Sequence, residues 1–380
     1  MKAPLKLFVF IDALGWDISQ RHNAFPSLQA YRSPARTVLG YSCSCIPSIL
    51  SGKLPQEHGH WTFFYKAQKP SSLRPLQMLN KLPKTLSHHH RFRQKLSQAY
   101  AQFKGFSGYF NLYNLPYDEM DYFDYVEQRD LFSTKLSDIR TIFHDLEDAK
   151  VPYYCADWRA SEEDNVANFL QFVKQKPCDW AFLYFPRLDG IMHQKGPEGA
   201  HQHLRWYESQ IQHIMDTLTP QREVHLTVFS DHGMTRIHKH LNIGSIDGSQ
   251  ESKIQPHVRR FYDATLARYW FTSEQARNEV KARLQRCQDG KVMEPEDLKR
   301  EGVWFEDQRF GELIFLANPG VLLYPNQMGE HPPRAMHGYA PEDRDSWASV
   351  LSNRPETADI LGKSPGLCDY YKLMRNGINA

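Results

Sequence analysis

The sequence lacks the features that mark several whole classes of protein. Its six cysteines show none of the spacings of a disulfide framework in a chain of 380 residues, so we expect reduced thiols. Its longest apolar runs, such as residues 7–11 and 313–316, are far shorter than the ~20 residues that a membrane span needs. The first apolar run is cut at Asp12 with no small-residue cleavage site after it, which argues against a signal peptide. We therefore expect a cytoplasmic protein without a membrane span.

Charge of either sign is also not in excess. Lys and Arg number 46 against 44 Asp and Glu, which gives a formal net charge of +2. A nucleic-acid-binding protein usually concentrates basic residues on one face, so we expect no nucleic-acid polymer as a partner. The apolar content of 41% and the aromatic content of 13% exclude a disordered chain and a simple coiled coil. The length fits two domains, or one large core with insertions.

Three apolar runs end abruptly in polar or small residues. They are Leu5–Ile11, Trp180–Phe185 and Val224–Phe229. Helical patterns lie between them at residues 137–150 and 161–176, and Ser161 is suited to cap the second. Strands that alternate with helices in this way predict an α/β fold with a largely parallel central sheet flanked by helices.

Two stretches interrupt this alternation. Residues 66–135 begin basic and become aromatic and acidic, and residues 252–335 include a charged helical segment at 273–289. We interpret the first stretch as an inserted cap and the second as a further insertion. The core then consists of residues 1–65, 136–251 and 336–380.

Carboxylates and imidazoles follow the predicted strands. In a parallel sheet the carboxyl ends of the strands lie along one edge, so these side chains can converge. With a histidine late in the chain they make three carboxylates and three imidazoles, enough for two divalent metal ions. Mixed Asp and His ligands suit Zn²⁺ best, with Mn²⁺ as the second choice. The six residues are Asp12, Asp189, His193, Asp231, His232 and His337.

The segment from residue 40 to residue 52 offers a nucleophile. We predict that Pro47 lies in the first turn of a helix, where its missing N–H costs nothing. Hydroxyl groups just upstream would then lie near free backbone amides, at a helix end suited to phosphate. A serine beside two metal ions has a lowered pKa and becomes a nucleophile. The neighbouring candidates are Ser42, Cys43, Ser44 and Cys45.

The order of these motifs resembles that of the alkaline phosphatase superfamily, in particular its type I phosphodiesterase and nucleotide pyrophosphatase branch. In that family the nucleophile lies at a fixed distance before the Gly of a frame that continues x-x-Pro-x-x-His-Gly. Gly52, Pro55, His58 and Gly59 form this frame, and the residue ten positions before Gly52 is Ser42. The other shared pieces are the strand ending in Asp12, Asp189-x-x-x-His193 followed by Gly196-Pro197, Asp231-His232-Gly233 and His337-Gly338-Tyr339.

The resemblance implies an alkaline-phosphatase-like core and a two-metal hydrolase. The expected substrates are phosphodiesters or nucleotide-like phosphate esters of small molecules. Ser42 would be the catalytic nucleophile and would form a phosphoseryl intermediate. One ion would be held by Asp189, His193 and His337, and the other by Asp12, Asp231, His232 and the Ser42 oxygen.

One position departs from the pattern of the family. The pyrophosphatases place an Asn five residues after the His of His-Gly, where it holds a phosphoryl oxygen, and that position here is Phe63. Phe63 offers no hydrogen bond but gives an apolar wall for a bulky ester group, so we expect diesters to be preferred over monoesters. The residues that could replace the Asn are Thr62, Tyr65, Lys66 and Arg187.

Other interpretations of the same residues stay open. A phosphotransferase of the superfamily would pass the phosphoryl group to an alcohol through the same intermediate, and a metal-binding protein would keep the site without turnover. The segment that begins at Cys45 resembles a sulfatase signature but has Ile49 in place of its Arg, which argues against a sulfatase. The oligomeric state is not predicted by the sequence.

Overall fold

The computed structural model describes residues 4–83, 87, 89–132, 139–248 and 250–378 of the chain. Its strands form a six-stranded sheet, a four-stranded sheet and three two-stranded pairs. In chain order the strands are β1 (Leu5–Ile11), β2 (Tyr31–Ala35), β3 (Phe64–Lys66), β4 (Phe123–Tyr125), β5 (Tyr153–Cys155), β6 (Trp180–Phe185), β7 (Val224–Phe229), β8 (Thr235–Arg236), β9 (Lys239–Leu241), β10 (Val258–Tyr262), β11 (Leu266–Phe271), β12 (Gly290–Met293), β13 (Leu313–Ala317), β14 (Val321–Leu323), β15 (Ala335–Met336) and β16 (Ala348–Ser352).

The helices alternate with these strands in the first and last parts of the chain. The α-helices of the described residues are α1 (Trp16–Arg21), α2 (Ser42–Ser51), α3 (Pro55–His58), α4 (His90–Lys104), α5 (Ile142–Asp148), α6 (Glu162–Gln175), α7 (Arg187–Lys195), α8 (Ala200–Leu218), α9 (Glu274–Leu284), α10 (Pro295–Arg300), α11 (Thr357–Leu361) and α12 (Asp369–Arg375). Short 3-10 helices lie at Arg74–Lys81, Tyr117–Glu119, Pro197–Gly199, Ile243–Ser245, Gln255–His257 and Arg344–Ser346.

The six-stranded sheet has the order β2–β16–β7–β1–β6–β5. β7, β1, β6 and β5 are parallel neighbours, and β16 is antiparallel to both β7 and β2. The three predicted apolar runs are β1, β6 and β7, whose side chains are almost all buried because helices cover both faces. The predicted α/β fold with a largely parallel sheet is therefore confirmed.

Side chains of β1 alternate between the two faces of this sheet. On one face Leu7 and Val9 belong to a buried cluster that includes residues of α6 and α8. On the other face Phe8 and Phe10 belong to a cluster with residues of α2, α5 and α12. The sheet is thus held between two helical layers, and its carboxyl edge stays free for function.

The bounds of the two predicted helices agree with the structure to different degrees. The pattern at residues 161–176 corresponds to α6, and Ser161 Oγ accepts the Asp164 N–H at 3.0 Å as its cap. The pattern at residues 137–150 is too long, because α5 begins only after Thr141, whose N–H donates to His144 Nδ1 at 3.1 Å. Residues 137 and 138 of this prediction lie outside the described residues.

Pro47 does not lie in the first turn of a helix, so this prediction is wrong. α2 already begins at Ser42, and the Tyr41 carbonyl accepts the N–H groups of Ser44 and Cys45 at 2.8 and 3.1 Å. Pro47 therefore lies inside α2, where its missing N–H removes one hydrogen bond of the helix. Ser42, one of the hydroxyl groups upstream of Pro47, nevertheless stands at the positive end of the helix dipole, because it is the first residue of α2.

The two segments interpreted as insertions contact each other. Residues 252–335 contain the antiparallel sheet β10–β11–β13–β12. Phe261 and Trp270 of this sheet pack in one buried cluster with Tyr100 and Tyr125 of the first segment. The division of the chain into a core, a cap and a second insertion stays a prediction.

All six cysteines are free thiols. In the described part of the chain, no helix combines the length and the apolar character needed to cross a membrane.

Candidate metal centre and nucleophile

The carboxyl edge of the central sheet carries the predicted site. Parallel strands end together at this edge, so residues that are far apart in sequence meet there. Asp12 follows β1, Asp189 and His193 lie one turn apart in α7 after β6, Asp231 and His232 follow β7, His337 follows β15, and Ser42 begins α2. The structure brings all seven predicted residues together.

One group of ligand atoms lies beside the candidate nucleophile. One atom each of Asp12, Asp231 and His232 lies within 4.8 Å of the others. His232 Nε2 is 3.5 Å from Asp12 Oδ1 and 3.2 Å from Asp231 Oδ2. The Ser42 hydroxyl lies 3.1 Å from the same nitrogen of His232. The three ligands and the hydroxyl therefore face one small volume.

A second group lies next to the first. Asp189, His232 and His337 also place one ligand atom each within 4.8 Å of the others. Asp189 Oδ1 is 3.3 Å from His193 Nε2 and 3.5 Å from His337 Nε2. The rings of His232 and His337 are stacked, with their centroids 3.7 Å apart. His232 thus lies between the two groups and holds them side by side.

Several buried polar atoms of the site have no hydrogen-bond partner among the described residues. They are Asp12 Oδ1, Asp189 Oδ1, Asp231 Oδ2 and His337 Nδ1. Such atoms are uncommon in folded proteins, because a buried charged oxygen without a partner costs free energy. Carboxylate oxygens and imidazole nitrogens are also the donors that zinc binds. The residues of the site therefore fit divalent cations.

Backbone groups orient the imidazole rings. His193 Nδ1 lies 2.8 Å from the Ala335 carbonyl oxygen, and His232 Nδ1 lies 2.9 Å from the Gly233 carbonyl oxygen. A carbonyl oxygen only accepts hydrogen bonds, so each Nδ1 carries the proton and each Nε2 keeps a lone pair for a cation. Gly233 is required here, since a Cβ at this position would lie 2.1 Å from the Asp345 carbonyl oxygen.

A tyrosine that the sequence analysis missed holds one of the carboxylates. The Tyr184 hydroxyl donates to Asp12 Oδ2 at 2.7 Å, and the Tyr184 ring stacks on Phe10 with centroids 4.9 Å apart. Asp12 Oδ1 is then the oxygen of this carboxylate that accepts no hydrogen bond from the described residues. Only the position of Tyr184, near the end of the strand that leads to Asp189, could have indicated this role.

Without cations, the carboxylates of the site repel one another. Burial, together with the charges of Asp231 and Asp189, holds the pKa of Asp12 well above its usual range. Burial also raises the pKa of Asp231 to about 7. Although burial opposes both shifts, the contact between Asp189 and His193 lowers the pKa of Asp189 and raises the pKa of His193 to about 9. Divalent cations would supply the positive charge that allows the three carboxylates to ionise together.

The alternatives to Ser42 in the same segment face away from the ligands. Ser44 Oγ donates to the Tyr41 carbonyl at 2.7 Å, and Cys45 Sγ lies 3.6 Å from Thr37 Oγ1. Cys43 Sγ lies 3.5 Å from the Trp61 carbonyl oxygen, and burial raises the pKa of its thiol well above the usual range. A protonated thiol is a poor nucleophile, which leaves Ser42 as the best placed group.

A cavity of about 610 Å³ adjoins Ser42 and the two groups of ligands. Its walls are strongly aromatic, since seven Phe, Tyr and Trp rings line it: Tyr41, Phe63, Tyr109, Tyr113, Phe132, Trp158 and Tyr184. A carboxylate that the sequence analysis did not single out, that of Glu127, also lines the cavity. Only its position as an acidic residue within an aromatic segment could have drawn notice.

The residues considered as replacements for the missing Asn are placed elsewhere. Among the described residues, none of the four lines the cavity. Thr62 Oγ1 donates to the Phe64 carbonyl at 3.0 Å, and Arg187 forms an ion pair with Glu163. Phe63 itself lines the cavity, as an apolar residue in the position where the pyrophosphatases carry a hydrogen-bonding amide.

The fold is similar to those of several solved structures. Human ectonucleotide pyrophosphatase/phosphodiesterase 5 matches with 15% identity and a TM-score of 0.68, over 99% of this chain and 95% of that chain. The murine protein matches with 16% identity and a TM-score of 0.69, over 99% and 95% of the two chains. An inactive form of the murine protein in complex with AMP gives 15% identity, a TM-score of 0.70 and coverages of 100% and 95%. These similarities confirm the predicted alkaline-phosphatase-like fold.

The sequence comparisons identify the class. No curated protein matches the chain. Residues 7–340 match the type I phosphodiesterase/nucleotide pyrophosphatase family. This match and the fold define a metal-dependent phosphoric ester hydrolase. The chain belongs to the type I phosphodiesterase/nucleotide pyrophosphatase family, which confirms the resemblance drawn from the order of its motifs.

Proposed function

We propose that the protein hydrolyses phosphodiesters or nucleotide-like phosphate esters of small molecules through a phosphoseryl intermediate on Ser42. The observation that carries this proposal is the position of the Ser42 hydroxyl, 3.1 Å from His232 Nε2 at the centre of the ligand cluster. A murine structural neighbour has been solved in complex with AMP, which agrees with a phosphate ester as substrate.

Two divalent cations are part of this proposal, with Zn²⁺ as the first choice and Mn²⁺ as the second. Bound there, the cations would neutralise the buried carboxylates, polarise the phosphoryl oxygens and lower the pKa of the Ser42 hydroxyl. The unpartnered oxygens of the three aspartates support this assignment. Asp189, His193 and His337 would hold one cation, and the other would be held by Asp12, Asp231, His232 and Ser42.

The proposed reaction has two steps, and Ser42 is the nucleophile of the first. Its Oγ releases its proton to solvent and forms a bond to phosphorus while the bond from phosphorus to the leaving ester oxygen breaks. The departing alkoxide takes up one proton from solvent and leaves as the alcohol. A water molecule then attacks the phosphoseryl group, which releases a phosphate monoester and restores the hydroxyl. Because Ser42 is the first residue of α2, the positive end of the helix dipole stabilises the anionic phosphoryl group in both steps.

A nitrophenyl phosphodiester tests the proposal. The chelated protein is assayed with and without added Zn²⁺ or Mn²⁺, and the Ser42→Ala variant is compared with Ser209→Ala, a control on the exposed side of α8. We expect metal-dependent release of nitrophenol that Ser42→Ala reduces by about three orders of magnitude or more. Activity that survives this substitution, or a phosphorylated peptide that carries the label on Cys43 or Ser44, would contradict the role of Ser42.

The same assay separates hydrolysis from transfer. An added alcohol acceptor would collect the phosphoryl group as a new diester if the protein were a phosphotransferase, whereas a hydrolase passes it to water. The cytoplasmic location predicted from composition belongs to the proposal as well, and microscopy of the tagged full chain would test it.

A further inference from the structure

Glu127 is a buried carboxylate with no positively charged partner in the part of the chain that the structure describes. It follows β4, is 8% exposed and lines the cavity beside Ser42. Its carboxylate accepts a hydrogen bond from the backbone N–H of Tyr109. Among the described residues, no Lys or Arg lines the cavity, and Glu127 forms no ion pair. A buried carboxylate without a counter-charge is costly, so it is expected to have a purpose in this cavity.

Aromatic rings surround the same space. The ring of Phe63 lies 5.7 Å from that of Tyr109 and 5.6 Å from that of Tyr113, measured between centroids. Tyr109 in turn contacts Trp158, with centroids 6.5 Å apart. Ring faces attract cations, and the attraction is strongest where water is excluded. A continuous aromatic wall that also holds a carboxylate is therefore suited to a positively charged group.

We infer that this cavity binds substrates whose ester group carries a positively charged nitrogen, with Glu127 as the counter-ion. This inference rests on the proposed phosphodiesterase function, because the charged ester group must be attached to a phosphoryl group that Ser42 can reach. A quaternary ammonium group would be held by the rings and by the charge of Glu127. A primary ammonium group would in addition donate a hydrogen bond to the carboxylate.

A nucleobase fits this cavity less well. It would stack on the aromatic wall, but as a neutral group it would leave the buried carboxylate without a counter-charge. A nucleoside diphosphate or triphosphate would add negative charge to a cavity that no Lys or Arg lines among the described residues. Burial raises the pKa of Glu127 to about 8, so the empty cavity favours the protonated acid at neutral pH, and a bound cation would favour the charged carboxylate.

The test compares substrates that differ only in charge. Full-length protein loaded with zinc is assayed with the nitrophenyl phosphodiesters of choline and ethanolamine. The reference compound is the neohexyl ester, the neutral carbon analogue of choline. The thymidine ester represents a nucleobase. We expect kcat/KM for the choline ester to exceed that for the neohexyl ester by about tenfold or more. The ethanolamine ester shows whether a quaternary or a primary ammonium group is preferred.

Variants then assign the preference to Glu127. Glu127→Gln keeps the shape of the side chain and an oxygen that accepts the Tyr109 N–H. The ratio of kcat/KM for the choline ester to kcat/KM for the neohexyl ester is expected to fall close to one in this variant. The value for the neohexyl ester itself should stay within about threefold of the wild type. Glu127→Asp keeps the negative charge and should retain part of the preference for the choline ester. The matched control is Glu119→Gln, which removes an acid of the same segment that pairs with Arg259 outside the cavity.

Three outcomes would overturn the inference. They are equal activity of the wild type on the choline and neohexyl esters, an equal loss on both esters in Glu127→Gln, and a preference for the thymidine ester. If no ester is hydrolysed, the proposed function fails, and calorimetric titration with phosphocholine and neohexyl phosphate decides the inference separately. Tighter binding of phosphocholine that Glu127→Gln abolishes would support it, and equal binding of the two would refute it.

Discussion

The Tyr184→Phe substitution isolates a single hydrogen bond of the metal centre. It removes the hydroxyl that donates to Asp12 Oδ2 at 2.7 Å but keeps the ring that stacks on Phe10. Both residues are buried, and a hydrogen bond to a charged group contributes about 1.5–3 kcal/mol. Since a tenfold change in affinity corresponds to about 1.4 kcal/mol, we expect a loss of about ten- to a hundredfold in affinity for the cation beside Asp12.

The measurement is a titration of activity and of metal content in zinc buffers. The variant should need more free zinc but should recover most of its kcat at saturation, because Tyr184 acts on Asp12 and not on phosphorus. The control is Tyr207→Phe, which removes an equally buried hydroxyl that donates to Glu162 Oε1 at 2.9 Å, away from the ligands. A folded Tyr184→Phe variant with unchanged zinc affinity would refute this reasoning. A kcat that stays low at saturating zinc would instead place the hydroxyl on the substrate.

Three further predictions concern the cations, the substrate and pH. His337→Ala should release one of two bound ions and abolish turnover, as elemental analysis and activity assays would show, while circular dichroism should show that the protein stays folded. Fewer than two ions per chain of the native protein in excess zinc would contradict the proposal of two cations. Because Phe63 supplies no hydrogen bond, matched nitrophenyl esters should show higher kcat/KM for the diester, and a monoester preference above about tenfold would contradict this. The preference for the choline ester over the neohexyl ester should rise with pH between about 6 and 9, because the carboxylate of Glu127 forms as the pH passes its pKa of about 8. A ratio of the two kcat/KM values that does not change with pH would contradict this prediction. The other titratable groups around Glu127 are Asp130, Tyr109, Tyr113, Tyr125 and Cys43.

Much of the core could be predicted from the sequence because its central strands are apolar along almost their whole length. A strand that is covered on both faces must be apolar throughout, and the run Trp180–Phe185 shows this directly. Ser161 marks the start of α6 because its hydroxyl caps a free backbone amide. The start of α5 was missed since Thr141 gives a weaker signal within a long polar pattern. Local signals of this kind depend on a few neighbouring residues and are visible in one sequence.

The ligands could be found for a related reason. Asp12 comes directly after β1, and Asp231 and His232 come within three residues of the end of β7. The geometry of a parallel sheet brings such positions together, whatever the side-chain packing. The placement of Pro47 was wrong because Tyr41, the N-cap residue of α2, forms no capping hydrogen bond through its side chain, so the start of this helix carries no local sequence signal. The predicted convergence survived this error, since it depends on the strands and not on the exact start of α2.

The residues of the substrate cavity could not be predicted from the sequence in the way that the metal ligands could. Its walls come from segments that are far apart in sequence and that pack only through tertiary contacts, as Phe63, Tyr109 and Trp158 do. No local pattern predicts such contacts, so neither Glu127 nor Tyr184 could be assigned a role before the fold was known. The cations would be bound at strand ends, which the whole sheet holds in place, whereas the residues that face the ester group lie largely on connecting segments. Substitutions in these segments can change which ester group the cavity accepts without disturbing the metal ligands. The identity of the substrate is therefore expected to depend on Glu127 and its aromatic neighbours, and the phosphoryl chemistry on the edge of the sheet.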